Sequence, residues 1–474
     1  MNAPAIFLVT PGLIALAAYG LYPGRSRWTT VLAVLFALLL AFASSLIPLG
    51  APWIILGHPL PVSNTLSFLG RSFIFTSDVR PIIMFLCLGT AALLAGSLAV
   101  STNRILIPVL LLVLSLLFAS LFIQPFLYSS FFLFLSVVLL SLLLSDTSHP
   151  SPRGAVRWIS YSVLGTLFLL LAGSGISAYS NLPADSVKME PILIQLCLGF
   201  GLLLSFPPFH FWLPEVADDS PPYSVSLVLS LYVGGVIFVL LRFLDGFAWL
   251  RQSSAVYLVF LLAGSGMCVI GSSLSLVQNR LGRCVGFLSL SNLGVVFLSL
   301  SITGPVGLKG GMLLLALRGL SLLVWGVSFH NLRPKQASDH IADLRGRAFS
   351  SPVAFSAALL SGLSLVGLPG LFSFPAFWTV LRSVTDPGSP GSPAVIPQLA
   401  ILFSMVAGIL SLYRFARPMM QVPLALSISR GGGRLFRALL LVSIGSIFLL
   451  GVFPQILSPW ISNAASAFPN LLPK

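Results

Sequence analysis

SFPPFHFWLP (205–214) and GLPGLFSFP (367–375) each place prolines or glycines inside an otherwise apolar run. Proline has no backbone N–H to donate and its ring clashes with the preceding turn, so a helix carrying such a stretch breaks there. In hydrocarbon a broken helix survives only where protein or a hydrated cavity satisfies the freed carbonyls. The runs around the two stretches, about 191–214 and 352–381, are long enough to reach across a bilayer core of about 30 Å, which takes ~20 helical residues. Two interrupted helices at corresponding places in two halves of a chain point to a transporter fold built from inverted repeats. Two kinks that serve packing alone are the plainer alternative. The breaks are assigned to Pro207, Pro208, Pro369 and Pro375.

The rest of the chain fits a membrane solvent. Hydrophobic residues make up 57% of 474 positions, charged residues 8%, and mean hydropathy is +1.02, outside the range of soluble domains. Apolar segments fall at about 4–21, 28–50, 80–100, 103–124, 126–145, 155–178, 191–214, 222–244, 254–276, 285–303, 308–331, 352–381, 393–415 and 434–457. Their Leu/Val/Phe runs lack the strict alternation of barrel strands. The expected fold is an all-α polytopic membrane protein of about fourteen transmembrane helices, with inverted five-helix repeats and helices seven and twelve broken. The larger polar stretches, 51–79, 332–350 and 416–433, leave no room for a soluble domain. One membrane domain is therefore expected over 1–474, with a core at about 103–415 and flanking helices in 1–100 and 434–457. The opening MNAPAIFLVTPGLIALAAYG lacks a basic n-region and reads as a retained first helix.

A formal charge of +14 raises the question of nucleic acid, but the basic residues stand singly between apolar runs, with no basic stripe among aromatics. They read as topology signals. Sixteen lie in odd-numbered loops, among them Arg104, Arg153, Arg157, Arg280, Arg283, Lys335, Arg414 and Arg430. Eight lie in even loops or at the C-terminus, including Arg71, Lys188, Arg242 and Lys474. By the positive-inside rule the odd loops are cytoplasmic and both termini lie outside. Cys87, Cys197, Cys268 and Cys284 stand alone, without metal-ligand spacing. No nucleophile–base pair, phosphate-cradling loop or cofactor motif is present, so no catalytic residue and no metal are expected in this chain.

Four stretches carry a family resemblance. PFHFWLPE (208–215), followed by VADDSPPYSVSLVLS and LLRF (240–243), resembles the PFHxWLPDA…LLRF signature of the proton-translocating antiporter-like subunits shared by respiratory complex I, Mrp antiporters and membrane-bound hydrogenases. LVQNRLGRCVGFLSLSNLG (276–294), ALRGLSLLVWGVSFH (316–330) and SLVGLPGLFSFP (364–375) resemble three further family segments, in order. Within the family the chain is most similar to the M-type subunit of NADH-quinone oxidoreductase, with the N-type open. The resemblance implies a place in the membrane arm, contributing to proton translocation coupled to quinone reduction or, where the family's Lys and Glu are lost, to architecture, with partner membrane subunits in a lipid bilayer, no nucleic acid, and quinone and redox centres in those partners. It also implies a multi-pass protein of a bacterial cytoplasmic membrane. An Mrp-type antiporter subunit and a non-transporting scaffold of a hydrogenase or related complex are the alternatives.

The family's ion path uses a Glu on helix five, Lys on helices seven and eight, and Lys or Glu on helix twelve, because ionisable groups at membrane depth are costly and are kept for such work. Here those positions fall on Phe134 or Leu135, Leu203, Val233 or Gly234, and Phe377. The remaining ion-path or structural candidates are His210, Glu215, Arg318, Ser289, Ser291 and Asn292. His210 titrates near neutrality or simply hydrogen-bonds a broken backbone. Arg318 stands where the family usually has His; its guanidinium suits a fixed charge, or a side chain paired with carbonyls. Glu215, Asp218 and Asp219 read most simply as a solvated loop and helix cap, although Glu215 matches the family's acid. The three polar residues of 289–292 are able to hold water, or to bind helices together.

Overall fold

The computed structural model describes residues 2–49, 53–55, 58–60, 62–100, 103–145, 153–179, 189–333, 339–385, 395–421 and 433–472. Their helices are α1 (Ala3–Leu46), α2 (Arg80–Gly96), α3 (Leu106–Phe122), α4 (Ser129–Ser141), α5 (Arg153–Tyr179), α6 (Glu190–Leu203), α7 (Trp212–Asp219), α8 (Pro222–Leu227), α9 (Val233–Gly246) and α10 (Ala248–Arg251). There follow α11 (Ser254–Val277), α12 (Leu281–Leu300), α13 (Pro305–Leu332), α14 (Arg347–Ser350), α15 (Pro352–Val366), α16 (Phe374–Thr385), α17 (Val395–Met419), α18 (Arg434–Val452) and α19 (Ser458–Ala465). Among the described residues ten helical stretches are long and apolar enough to cross a membrane, and four shorter apolar helices accompany them.

The helical run α1 holds two of these stretches, Ala3–Leu21 and Arg27–Leu46. A straight helix of this length would separate its ends by about 66 Å at 1.5 Å per residue. Instead the Ala3 N–H donates to the Ser63 carbonyl at 2.9 Å, and Arg80 donates to the Ile47 carbonyl. Ser63 and Arg80 lie at one end of the fold, because the strand Thr65–Phe68 pairs antiparallel with Arg71–Ile74, register Thr65↔Ile74. The two halves therefore return on each other. The Leu69-Gly70 turn between the strands has both residues at positive φ (49° and 72°), as a tight hairpin requires. These strands, a third (Ile123–Gln124) and the short pair Trp53–Ile55 and His58–Leu60 add a strand element to an otherwise helical chain. Their place is the polar stretch 51–79 and the end of α3.

Helix α12 and the Pro222–Gly246 stretch are almost wholly enclosed by protein, whereas α18 is peripheral. Helices α11 and α12 pack at backbone distance through Gly264 and Gly294. A Cβ on either would lie 2.6–2.8 Å from the other's carbonyl oxygen. With lipid on all sides apolar packing has no net drive, so such close van der Waals contact is what holds membrane helices together.

The loops gather at two ends. At one end the Gly154 N–H donates to Asp219 at 3.2 Å, Arg157 pairs with Glu215, Leu281 N–H donates to the Asp339 carbonyl at 3.0 Å and Gly346 N–H to the Pro418 carbonyl at 3.2 Å. At the other, Arg71 donates to the Tyr128 hydroxyl and Arg242 lies over the Phe126 ring. The described parts of the loops that follow α4, α7, α11, α13 and α17 thus meet at one end of the bundle. Lys188, Lys335, Arg430 and Lys474, also used in the topology argument, lie outside the described residues.

Candidate functional site: two broken helices and a buried arginine

The first break begins at Ser205, which takes the left-handed conformation (φ 62°) after α6 ends at Leu203. For a residue with a side chain that conformation is strained. The freed backbone is satisfied locally: Phe206 N–H donates to the Gly201 carbonyl at 2.8 Å, and the Trp212 indole N–H to Leu202 at 3.2 Å. Pro207 and Pro208 sit in the gap, as the sequence predicts, and the WLP stretch supplies the donor that closes it. His210 lies in the same gap, buried and stacked on Phe211 at 4.3 Å. Neither ring nitrogen closes a well-formed hydrogen bond, although the Pro208 backbone lies close enough to act on the ring.

The second break is a glycine C-cap. Gly367 is left-handed (φ 82°), its N–H donates to Ser364 at 3.0 Å, and the Leu368 N–H donates to Leu363 at 3.1 Å. That pair of bonds is the Schellman arrangement, which glycine permits because it has no Cβ. Phe377 lies directly on Gly367, where a Cβ would come within 2.6 Å of its ring. Pro369 falls in the gap. Pro375, expected to break the helix, instead stands in the first turn of α16, where its missing N–H leaves no bond unmade.

Between the breaks runs a buried polar seam. Arg318, near the middle of α13, is 1% exposed. Its Nη1 donates to the Ser289 carbonyl at 2.6 Å and to Asn292 Oδ1 at 3.3 Å, and its Nη2 to Ser289 Oγ at 2.7 Å. Asn292 in turn donates through Nδ2 to the Leu365 carbonyl at 2.6 Å, in the last turn before Gly367. Below it Ser321, Ser364 and Ser373 form a hydroxyl chain, 3.4 and 3.0 Å apart. Among the described residues no carboxylate pairs with Arg318. Of the expected residues the structure thus unites Arg318, Ser289 and Asn292. Ser291 faces away, exchanging bonds with Cys268 of α11 at 3.4 and 3.5 Å. His210 belongs to the other break.

Glu215, Asp218 and Asp219 form a separate cluster, and the solvated-loop reading fails for Asp218. Its side chain is fully buried and bridges Arg280 at 2.9 Å and Arg283 at 3.0 Å. Sequence reading also passed over Asp245 at the opposite end, which accepts from the Asn470 N–H at 2.8 Å and ties the C-terminal segment to α9. It missed the π-helical stretch Val228–Tyr232 as well. Wide turns of this kind recur at functional positions. Leu203, Val233, Gly234 and Phe377 are all buried and apolar.

A bundle with two broken helices flanking an enclosed polar seam defines a polytopic membrane protein of the antiporter-like class. A family profile described as "NADH:quinone oxidoreductase/Mrp antiporter, TM" matches residues 126–391, more than half of the chain, and the chain belongs to that family. It is 29% identical over 253 residues to a NAD(P)H-quinone oxidoreductase chain 4 of Thermosynechococcus vestitus, a match that covers 49% of this chain and only 45% of that protein. It is 25% identical over 352 residues to NADH-quinone oxidoreductase subunit N of Halorhodospira halophila, covering 68% of this chain and 71% of the relative. A chain of Thermus thermophilus respiratory complex I superposes with a TM-score of 0.74 at 21% identity, covering 98% of this chain and all of that one. The fold is shared over essentially its whole length.

Proposed function

We propose that this chain is an antiporter-like subunit in the membrane arm of a complex-I-type NADH-quinone oxidoreductase, and that its own seam does not exchange protons. One observation carries the second clause: the charge at the centre of the bundle is a guanidinium held by neutral acceptors, with no switching group beside it. Arginine stays protonated in proteins, and a fixed cation lining a pore repels cations. The apolar Leu203, Val233, Gly234 and Phe377 offer no exchangeable proton either. The subunit's contribution is then architectural, with donor chemistry, quinone and redox centres in partner subunits. An Mrp-type antiporter needs buried exchangeable charge, which this reading denies the chain. Proteoliposomes containing the purified subunit alone are expected to show proton and sodium flux equal to empty vesicles under an imposed gradient. Gradient-dependent exchange several-fold above that background would overturn the reading.

Orientation follows from the gathering of basic loops on one face. That face is cytoplasmic in a bacterial plasma membrane, and both termini lie outside. A cysteine at His340, beside Arg280 through the bridge the two residues form, should react with an impermeant maleimide only after the membrane is permeabilised. Labelling in intact cells would invert the orientation.

A further inference from the structure

Most glycines in this bundle are there because a neighbour presses on them, as at Gly264 and Gly294. Three are not. Gly89 on α2 and Gly234 on α9 would have nothing within 4 Å of an added Cβ, and Gly319 on α13 would have only the Ser230 Cβ, at 3.8 Å. All three line one crevice of about 310 Å³, walled by α2, α9, α13 and α19. A helical glycine in place of alanine costs about 0.5–1 kcal/mol, so three of them around one unfilled space preserve room and not contact.

The room is apolar. Ser230 and Asn463 are the polar side chains among its walls, and Ser230 is occupied, donating to the Ser226 carbonyl. Water needs two to four polar partners to remain in a cavity, and an apolar cavity of about 150 Å³ stays dry. An empty space of this size forfeits dispersion contacts along all its walls. The crevice is also continuous with the lipid-facing surface: Met84, Leu88, Leu320 and Leu323 on its rim are only partly buried, and each belongs to a stretch able to cross the membrane. At its far edge α19, too short to cross, brings Asn463 alongside with Trp460, an aromatic of the kind that sits at headgroup level.

We infer that this crevice holds one acyl chain of a membrane phospholipid, its tail against Gly89, Gly234 and Gly319 and its glycerol end beside Trp460 and Asn463. The chain is a bound constituent of the subunit, distinct from the exchanging lipid on the outer face of α17.

The test uses the assembled complex in vesicles of phosphatidylcholine bearing a photoactivatable diazirine on one acyl chain. Separate aliquots are irradiated before and after an extensive detergent wash, and the adducts of each are mapped by peptide mass spectrometry. Adducts on α17, whose Leu399, Val406 and Leu410 are exposed, should fall more than tenfold after washing, and those on 84–93 and 315–323 less than twofold. The double substitution G234L/G319L, which places side chains into open space, should lower the crevice adducts at least fivefold and leave α17 unchanged. Loss of crevice adducts in parallel with α17, or crevice peptides unlabelled from the outset because a neighbouring subunit's helix covers them, would overturn the inference. The wash comparison on the wild-type complex stands even where the double variant fails to assemble.

Discussion

The double substitution Arg280→Met/Arg283→Met is expected to destabilise the subunit by about 3–5 kcal/mol, the range for a buried charge left without a partner. Asp218 has no exposed side-chain surface, whereas the side chains of Arg280 and Arg283 are 33% and 41% exposed. The carboxylate cannot recover water when its partners go, while either arginine can. Each single substitution therefore leaves Asp218 paired and should cost about 1 kcal/mol or less, as for a half-exposed bridge. The expected result is strong non-additivity. Adding Asp218→Asn to the double variant removes the orphaned charge and should restore more than half of the loss. The temperature at which the purified assembly releases this subunit is the readout. Additive single effects, or a triple variant worse than the double, would show that Asp218 is not the group that needs compensation.

The same asymmetry, applied to the central seam, separates Arg318 from the residues that hold it. Arg318→Met removes a charge that faces no carboxylate, so the lost hydrogen bonds are offset by relief from its desolvation. Asn292→Leu keeps the charge and takes away an acceptor, and it also leaves the Leu365 carbonyl unpaired beside the second break. That substitution should cost about 3 kcal/mol or more. Quinone reductase activity of assembled Arg318→Met and Arg318→His complexes is expected within twofold of wild type. The Asn292→Leu complex should lose subunit abundance in the membrane before any change in turnover per complex. An Arg318→Met complex that assembles fully but pumps fewer protons per electron would instead make the arginine a coupling element.

Much of this arrangement was legible in the residues. Proline and glycine in apolar runs located both gaps because their effect on a helix is local. What sets the chain direction at each gap was less legible. The left-handed residue of the first is Ser205, which no propensity singles out, and Pro375 proved to start a helix. The π-helical stretch at Val228–Tyr232 leaves no mark in hydrophobic periodicity because its surroundings are apolar on every side. The polar seam was half readable: Arg318, Ser289 and Asn292 stood out as polar residues in apolar helices, but the hydroxyl chain through Ser364 and Ser373 did not, since serines recur throughout the sequence. Asp218 was misread for a related reason. Its partners lie more than 60 residues away, and the adjacent acids Glu215 and Asp219 made a solvated loop the simpler account.

Arg318 sits in the transmembrane electric field, which does about 2.3 kcal/mol of work per elementary charge per 100 mV across the whole membrane. Over about 30 Å of hydrocarbon that is ~0.08 kcal/mol for each ångström moved along the normal. The bonds from Arg318 to Ser289 and Asn292 far exceed this, so energising the membrane leaves α13 where it is. The guanidinium accordingly adds to the potential inside the bundle a positive offset that the membrane voltage itself does not displace.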